Sequence, residues 1–159
     1  MDTRLDKKQT IERWGIRFTG IVQGVGFRPL VSLLAHQLGI NGFVYNDSSG
    51  VYVEAQSDTD TLQLFVDTIQ EEQPRLCRIT HVGITKVAPH DVDDNTEFVI
   101  SKSPLEGTVN TFISADTSPC DECLSEMNEK GRRYHYPFIN CTNCGPRYSI
   151  IKSMPYDRE

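Results

Sequence analysis

The sequence predicts an α+β protein: a ferredoxin-like sandwich with two helices on one face of an antiparallel sheet, followed by a small four-cysteine zinc-finger module. Three observations predict it. Across residues 11–100 the hydrophobic pattern alternates between strand and helix spacing in the order β-α-β-β-α-β, with a short final strand. Two Cys-x-x-Cys pairs, CDEC at 120–123 and CTNC at 141–144, lie beyond that region. Between the two, residues 101–119 carry no clear period.

The polar stretch MDTRLDKKQT, residues 1–10, has no apolar core; it reads as a flexible tail and not a secretory signal. Residues 11–22 alternate as a strand, with Trp14, Ile16 and Phe18 on one face and Gly20 and Val22 as candidates to extend it. Residues 29–39 place Leu30, Val31, Leu34, Ala35 and Leu38 at helical spacing; Pro29 suits the first turn and Gly39 the stop. Two β-rich runs follow at 42–46 and 51–56, joined by the hairpin loop DSSG at 47–50. A second helix over 60–72 aligns Leu62, Phe65, Val66 and Ile69 and ends before Pro74. Strands at 78–87 and 96–100 complete the sandwich. The expected organisation is a tail at 1–10, a first domain at 11–101, a linker at 102–115 and a zinc-finger module at 116–159.

Composition narrows the function classes. The 159 residues are 38% hydrophobic and 24% charged, as in ordinary globular proteins. A net charge of −6 is a poor basis for general nucleic-acid binding, which depends on neutralising phosphates. The basic, aromatic run GRRYHYPF at 131–138 is too short to reverse that expectation. No apolar run is long enough to cross a bilayer, so the expected location is the cytoplasm, with no membrane partner. There thiols stay reduced, and the five cysteines call for metal, catalysis or packing.

GIVQGVGFRP, residues 20–29, joins the first strand to the first helix. Gly24 and Gly26 free the backbone N–H groups of Gln23, Gly24, Val25, Gly26 and Phe27 to face one concavity. The helix start adds its own N–H groups and positive dipole end, and Arg28 adds a forked cation. Together they form a cradle of phosphate size. The glycines are not followed by Lys-Ser or Lys-Thr, so this is no Walker A loop, and the dinucleotide-binding spacing is also missing. The competing reading is a tight turn with its arginine in solvent.

This segment, followed by a helix and then GFVYN at 42–46, resembles the acylphosphatase family. The matching residues are Gly20, Val22, Gln23, Gly24, Val25, Phe27 and Arg28, then Gly42, Val44, Asn46, Gly50, Val51 and Gln56. The resemblance implies that Arg28 holds the phosphate of an acyl phosphate and that Asn46 positions the attacking water. Those roles suit the groups: Arg28 and the loop amides stabilise charge, and neutral Asn46 orients water without repelling an anion. Taken alone, Asn46 reads as a turn-former.

The cysteine pairs, with 17 residues between Cys123 and Cys141, have the spacing of two knuckles that close a structural tetrahedral zinc site through Cys120, Cys123, Cys141 and Cys144. Cys77 stands apart and reads as a small buried hydrophobe, while His36, His81, His90 and His135 read as packed or solvent-facing. RRYHYPFINCTNCGPRYSI, residues 132–150, and MPYDR, 154–158, together with the preceding domain, resemble the N-terminal part of the HypF family, carbamoyltransferases of nickel–iron hydrogenase maturation. That resemblance implies further modules beyond residue 159, so that the chain is expected to be a truncated piece. It also implies carbamoyl phosphate as the acyl phosphate and HypE as the carbamoyl acceptor. Three readings stay open: an acylphosphatase, a module that binds carbamoyl phosphate or phosphate without turnover, and a zinc-dependent interaction module.

Overall fold

The computed structural model describes residues 10–89, 97–104 and 118–139. The expected tail at 1–9, His90, most of the linker and the second cysteine pair lie outside the described residues.

Strand β1, Ile11–Ile21, buries Trp14, Ile16 and Phe18 and turns Arg13 and Arg17 to the opposite face. Helix α1, Phe27–Gln37, begins two residues before the expected position, so Pro29 lies within the first turn, where its missing N–H costs nothing. Its inner face carries Phe27, Val31, Leu34 and Ala35. Strands β2, Asn41–Asp47, and β3, Gly50–Asp58, form a hairpin closed by the Asp47–Gly50 pair. Helix α2, Thr59–Glu71, buries the four residues that its periodicity selects, Leu62, Phe65, Val66 and Ile69. It is capped by Asp58, whose carboxylate accepts from Thr61 N at 3.0 Å. Strand β4, Arg78–Val87, follows.

Two corrections concern the last strand and the sheet. Only Val99–Ile100 is extended as β5, because Phe98, in place of a strand register, anchors the segment by turning into the core against the ring of Phe65 at 6.4 Å. β5 pairs parallel to β2, so the sheet is mixed and five-stranded, in the order β4-β1-β3-β2-β5. The other pairings are antiparallel. A third helix, α3, Asp121–Asn128, was not expected; Asp121 and Glu122 suit the positive end of its first turn.

The two long helices cover one face of the sheet and enclose a continuous apolar core. The other face carries Arg13 paired with Glu54, Arg17 paired with Asp47, and a cluster of Phe43, Tyr45 and Tyr52. Register aligns one end of the sheet: Phe18 and Asn46 both lie opposite Val51, so the C-terminal ends of β1 and β2 are level.

Candidate functional site

At that end of the sheet the chain leaves β1 through Val22, Gln23, Gly24, Val25 and Gly26 before α1 begins. Apolar and glycine positions divide the work. Val22, Val25 and Phe27 are buried, and the Phe27 ring meets the Phe18 ring edge-on at 5.2 Å, which ties the loop to the core. Gly24 and Gly26 have φ of 71° and 81°, a left-handed conformation that side chains disfavour. Left-handed residues alternating with ordinary ones are the backbone pattern from which anion nests are made.

The helix start completes the arrangement. Gly26 is the N-cap of α1, no side chain caps it, and the first turn holds no acidic residue. This differs from α2, where Asp58 supplies the cap. The first N–H groups of a helix have no intrahelical acceptor, and their dipoles favour an anion. Arg28, a forked cation, is half-buried in this first turn.

Asn46 lies one residue before the β2–β3 turn and is fully buried. Gln23, Asn46 and Gln56 are the buried polar side chains among the described residues. Asn46 is not an isolated group, although its Oδ1 accepts no hydrogen bond among the described residues. Gln23 joins the loop to the hairpin: its Nε2 donates to Asp47 O at 2.7 Å and to Gly50 O at 2.6 Å. The loop thus meets the hairpin that carries Asn46. The sequence alone did not reveal this use of Gln23; its signal was a polar residue wedged between Val22 and Val25 in an otherwise apolar and glycine run. The turn is tightened further by Asp47 Oδ1, which accepts from Ser49 N at 2.7 Å.

Charges around the site are paired on the open face. Asp47 is held by Arg17, whose guanidinium lies 5.3 Å from the centre of the Tyr52 ring. Burial, followed by the carboxylate of Asp47, raises the pKa of the Tyr45 phenol; burial and then Glu54 do so for Tyr52. Both phenols stay neutral near pH 7.

The first cysteine pair sits at the start of α3. Cys120 is the N-cap residue and Cys123 lies one turn further and is buried, so the i, i+3 spacing sets both on one side of the helix. This fits one knuckle of a zinc site. Cys141 and Cys144 lie outside the described residues, and no group of three or more candidate ligands occurs among the described ones. His135 is exposed with φ of 57° and stacks on Tyr134 at 3.9 Å. His36 and His81 are exposed, and Cys77 is fully buried. No helix among the described residues is long and apolar enough to cross a membrane.

Comparison with known proteins agrees with this geometry. Residues 14–100 match the acylphosphatase family model, and residues 120–151 match the HypF finger model. The chain belongs to the acylphosphatase family. Its first domain is 35% identical over 82 residues to the acylphosphatase of Thermotoga maritima, covering 51% of this chain and 90% of that protein. The likeness to the HypF carbamoyltransferases reaches further along the chain. It is 42% identical over 144 residues to carbamoyltransferase HypF2 of Cupriavidus necator, covering 90% of this chain and 18% of that protein. A full-length HypF crystallised in its phosphate- and nucleotide-bound form superposes with a TM-score of 0.81 at 42% identity, covering 93% of this chain and 19% of that one. The chain therefore spans about a fifth of the length of the HypF relatives that it matches.

Proposed function

We propose that this chain hydrolyses an acyl phosphate, carbamoyl phosphate in particular, as the first step of HypF-type carbamoyl transfer. The observation that carries the reading is the uncapped start of α1, with Gly24 and Gly26 left-handed and Arg28 in the first turn, in a loop that Gln23 ties to the residue after buried Asn46. The Arg28 guanidinium and the amides of residues 23–28 hold the phosphoryl oxygens and stabilise the charge that builds on them. The Asn46 carboxamide orients a water toward phosphorus. The water oxygen bonds to phosphorus as the bond from phosphorus to the acyl oxygen breaks, and the water protons pass to the phosphate and solvent. The leaving group departs as carbamate, a weakly basic anion of carboxylate type, so no general acid is required to expel it.

In this reading zinc is held by Cys120, Cys123, Cys141 and Cys144, and it supplies a structural cross-link in a segment with little core of its own. The carbamoyl group passes to HypE through parts of the longer relatives, in the cytoplasm. Binding without turnover is the second reading, favoured by the small share of the HypF relatives that this chain spans.

Phosphate release from benzoyl phosphate and carbamoyl phosphate tests the proposal, with Arg28→Ala and Asn46→Ala beside the wild type. Loss of an anion-stabilising donor lowers kcat about 100- to 1,000-fold. Turnover that survives both substitutions refutes these assignments. Phosphate binding without turnover by the wild type selects the second reading.

A further inference from the structure

The geometry points to Gln23 as a positioning residue that sets the distance between the anion loop and Asn46, an inference that rests on the hydrolytic reading above. A primary carboxamide nitrogen carries two hydrogens. In Gln23 both have acceptors: Asp47 O at 2.7 Å and Gly50 O at 2.6 Å. Nε2 thus has no hydrogen left for a phosphate, and only the backbone N–H of Gln23 can serve the cradle.

The two acceptors make the role specific. Asp47 and Gly50 are the closing pair of the β2–β3 hairpin, and Asp47 directly follows Asn46. The loop is separated along the chain from β2 by the whole of α1, and β1, which leads into the loop, pairs with β3 but not with β2, the strand that carries Asn46. The buried Gln23 side chain bridges from the loop to β2 and grips both strands of the hairpin. Methionine, with similar length and no donor, leaves one buried and one partly buried carbonyl without the bonds they had. The amide nest depends on local conformation at Gly24 and Gly26 and on the start of α1. It therefore outlasts the loss of the bridge, whereas the placement of Asn46 relative to bound phosphate does not.

The test compares Gln23→Met, Gln23→Asn and the wild type in the 159-residue chain. Benzoyl phosphate turnover gives kcat and KM, and calorimetry gives the affinity for inorganic phosphate. Gln23→Met is expected to lower kcat by about 100-fold, the effect of a misplacement near 1 Å. KM and phosphate affinity are expected to stay within about threefold, because the nest is made locally. Gln23→Asn keeps the donor pair on a shorter stem and can grip the hairpin only by moving the loop, so the same split is expected if Gln23→Met fails to fold. Val66→Ala, a core truncation on α2, serves as the control: it lowers stability and leaves kcat unchanged below its melting range. An unchanged kcat in the Gln23 variants overturns the proposal. So does a fall in kcat and phosphate affinity together, in step with the folded fraction, since that is the signature of a structural role alone. A wild type that does not turn over at all refutes the hydrolytic reading itself, a different outcome from an active wild type with indifferent Gln23 variants.

Discussion

Gly50→Ala is expected to be one of the most damaging single-methyl additions in the first domain. An ideal Cβ on Gly50 lies 2.1 Å from the carbonyl oxygen of Phe18, 3.2 Å from its carbonyl carbon and 3.3 Å from Thr19 Cα. All three are backbone atoms of β1, so none can rotate aside. Relief requires β1 and β3 to separate next to the Phe18–Val51 pair. The φ of 151° at Gly50 is itself rarely adopted by residues with a side chain, a strain of about 1–3 kcal/mol. Displacing a packed strand adds about 1–3 kcal/mol. The sum, about 2–6 kcal/mol, is a large part of the ~5–15 kcal/mol that holds a typical domain folded. At ~4–8 °C per kcal/mol, the melting temperature falls by about 10 °C or more. Trp14, the sole tryptophan, is buried in β1 and reports the transition by fluorescence. Gly39→Ala is the internal comparison: its φ is 64° and a Cβ there meets nothing within 4 Å, so it costs the left-handed strain alone, about 1–2 kcal/mol. If Gly50→Ala loses no more stability than Gly39→Ala, the steric argument is wrong.

The remaining predictions concern the two kinds of cysteine. Burial pushes the Cys77 thiol from 9.0 up to about 12, with Arg78 opposing. The unfolded chain releases this proton from about pH 9, whereas the folded chain keeps it. Stability is therefore complete below pH 9 and falls by about 1.4 kcal/mol per pH unit as pH rises toward 12. Urea midpoints are expected to show that slope, and Cys77→Ala should remove it in the first unit above pH 9, before the tyrosines contribute; a slope that survives the substitution counts against the assignment. Native Cys77 should also resist alkylation until urea unfolds the chain. For the zinc module, a chelator or Cys120→Ser is expected to leave the Trp14 unfolding midpoint unchanged, because the core around Trp14 draws nothing from residues 118–139 except through sequence continuity. Global unfolding on metal removal would contradict that separation.

Much of the first domain was legible because periodicity and burial have one cause. Leu62, Phe65, Val66 and Ile69 recur at helical spacing, and all four face the core. Trp14, Ile16 and Phe18 alternate and are buried in the same way. The short final strand is shorter still for a physical reason: of the described residues 97–100 in TEFVI, only Val99 and Ile100 pair, on an edge, while Phe98 packs. Helix α3 was obscured because few of its residues are apolar and Cys123 alone is buried among its eight. Arg28 and Asn46 stood out in the sequence as a resemblance spread over two elements, whereas the contacts of the Gln23 side chain did not. Its partners are backbone carbonyls, and a carbonyl has no letter in the sequence.

That difference explains how the site is built. A β-α-β-β order with β3 inserted between β1 and β2 places the C-terminal ends of β1 and β2 on the same end of the sheet, one strand apart. The level is set by Val51, which lies opposite Phe18 on one side and Asn46 on the other. Topology thus brings the glycine loop and Asn46 within reach of one another, but it leaves a gap as wide as β3. Gly50 lets β3 start hard against β1, and Gln23 crosses to the hairpin from the loop side. A side chain at Gly50 would widen the gap, and a donor lost from Gln23 would release it. The glycine loop can be recognised as a local motif, but its relation to Asn46 is a property of the sheet, and Gly50 and Gln23 are where the two elements come into contact.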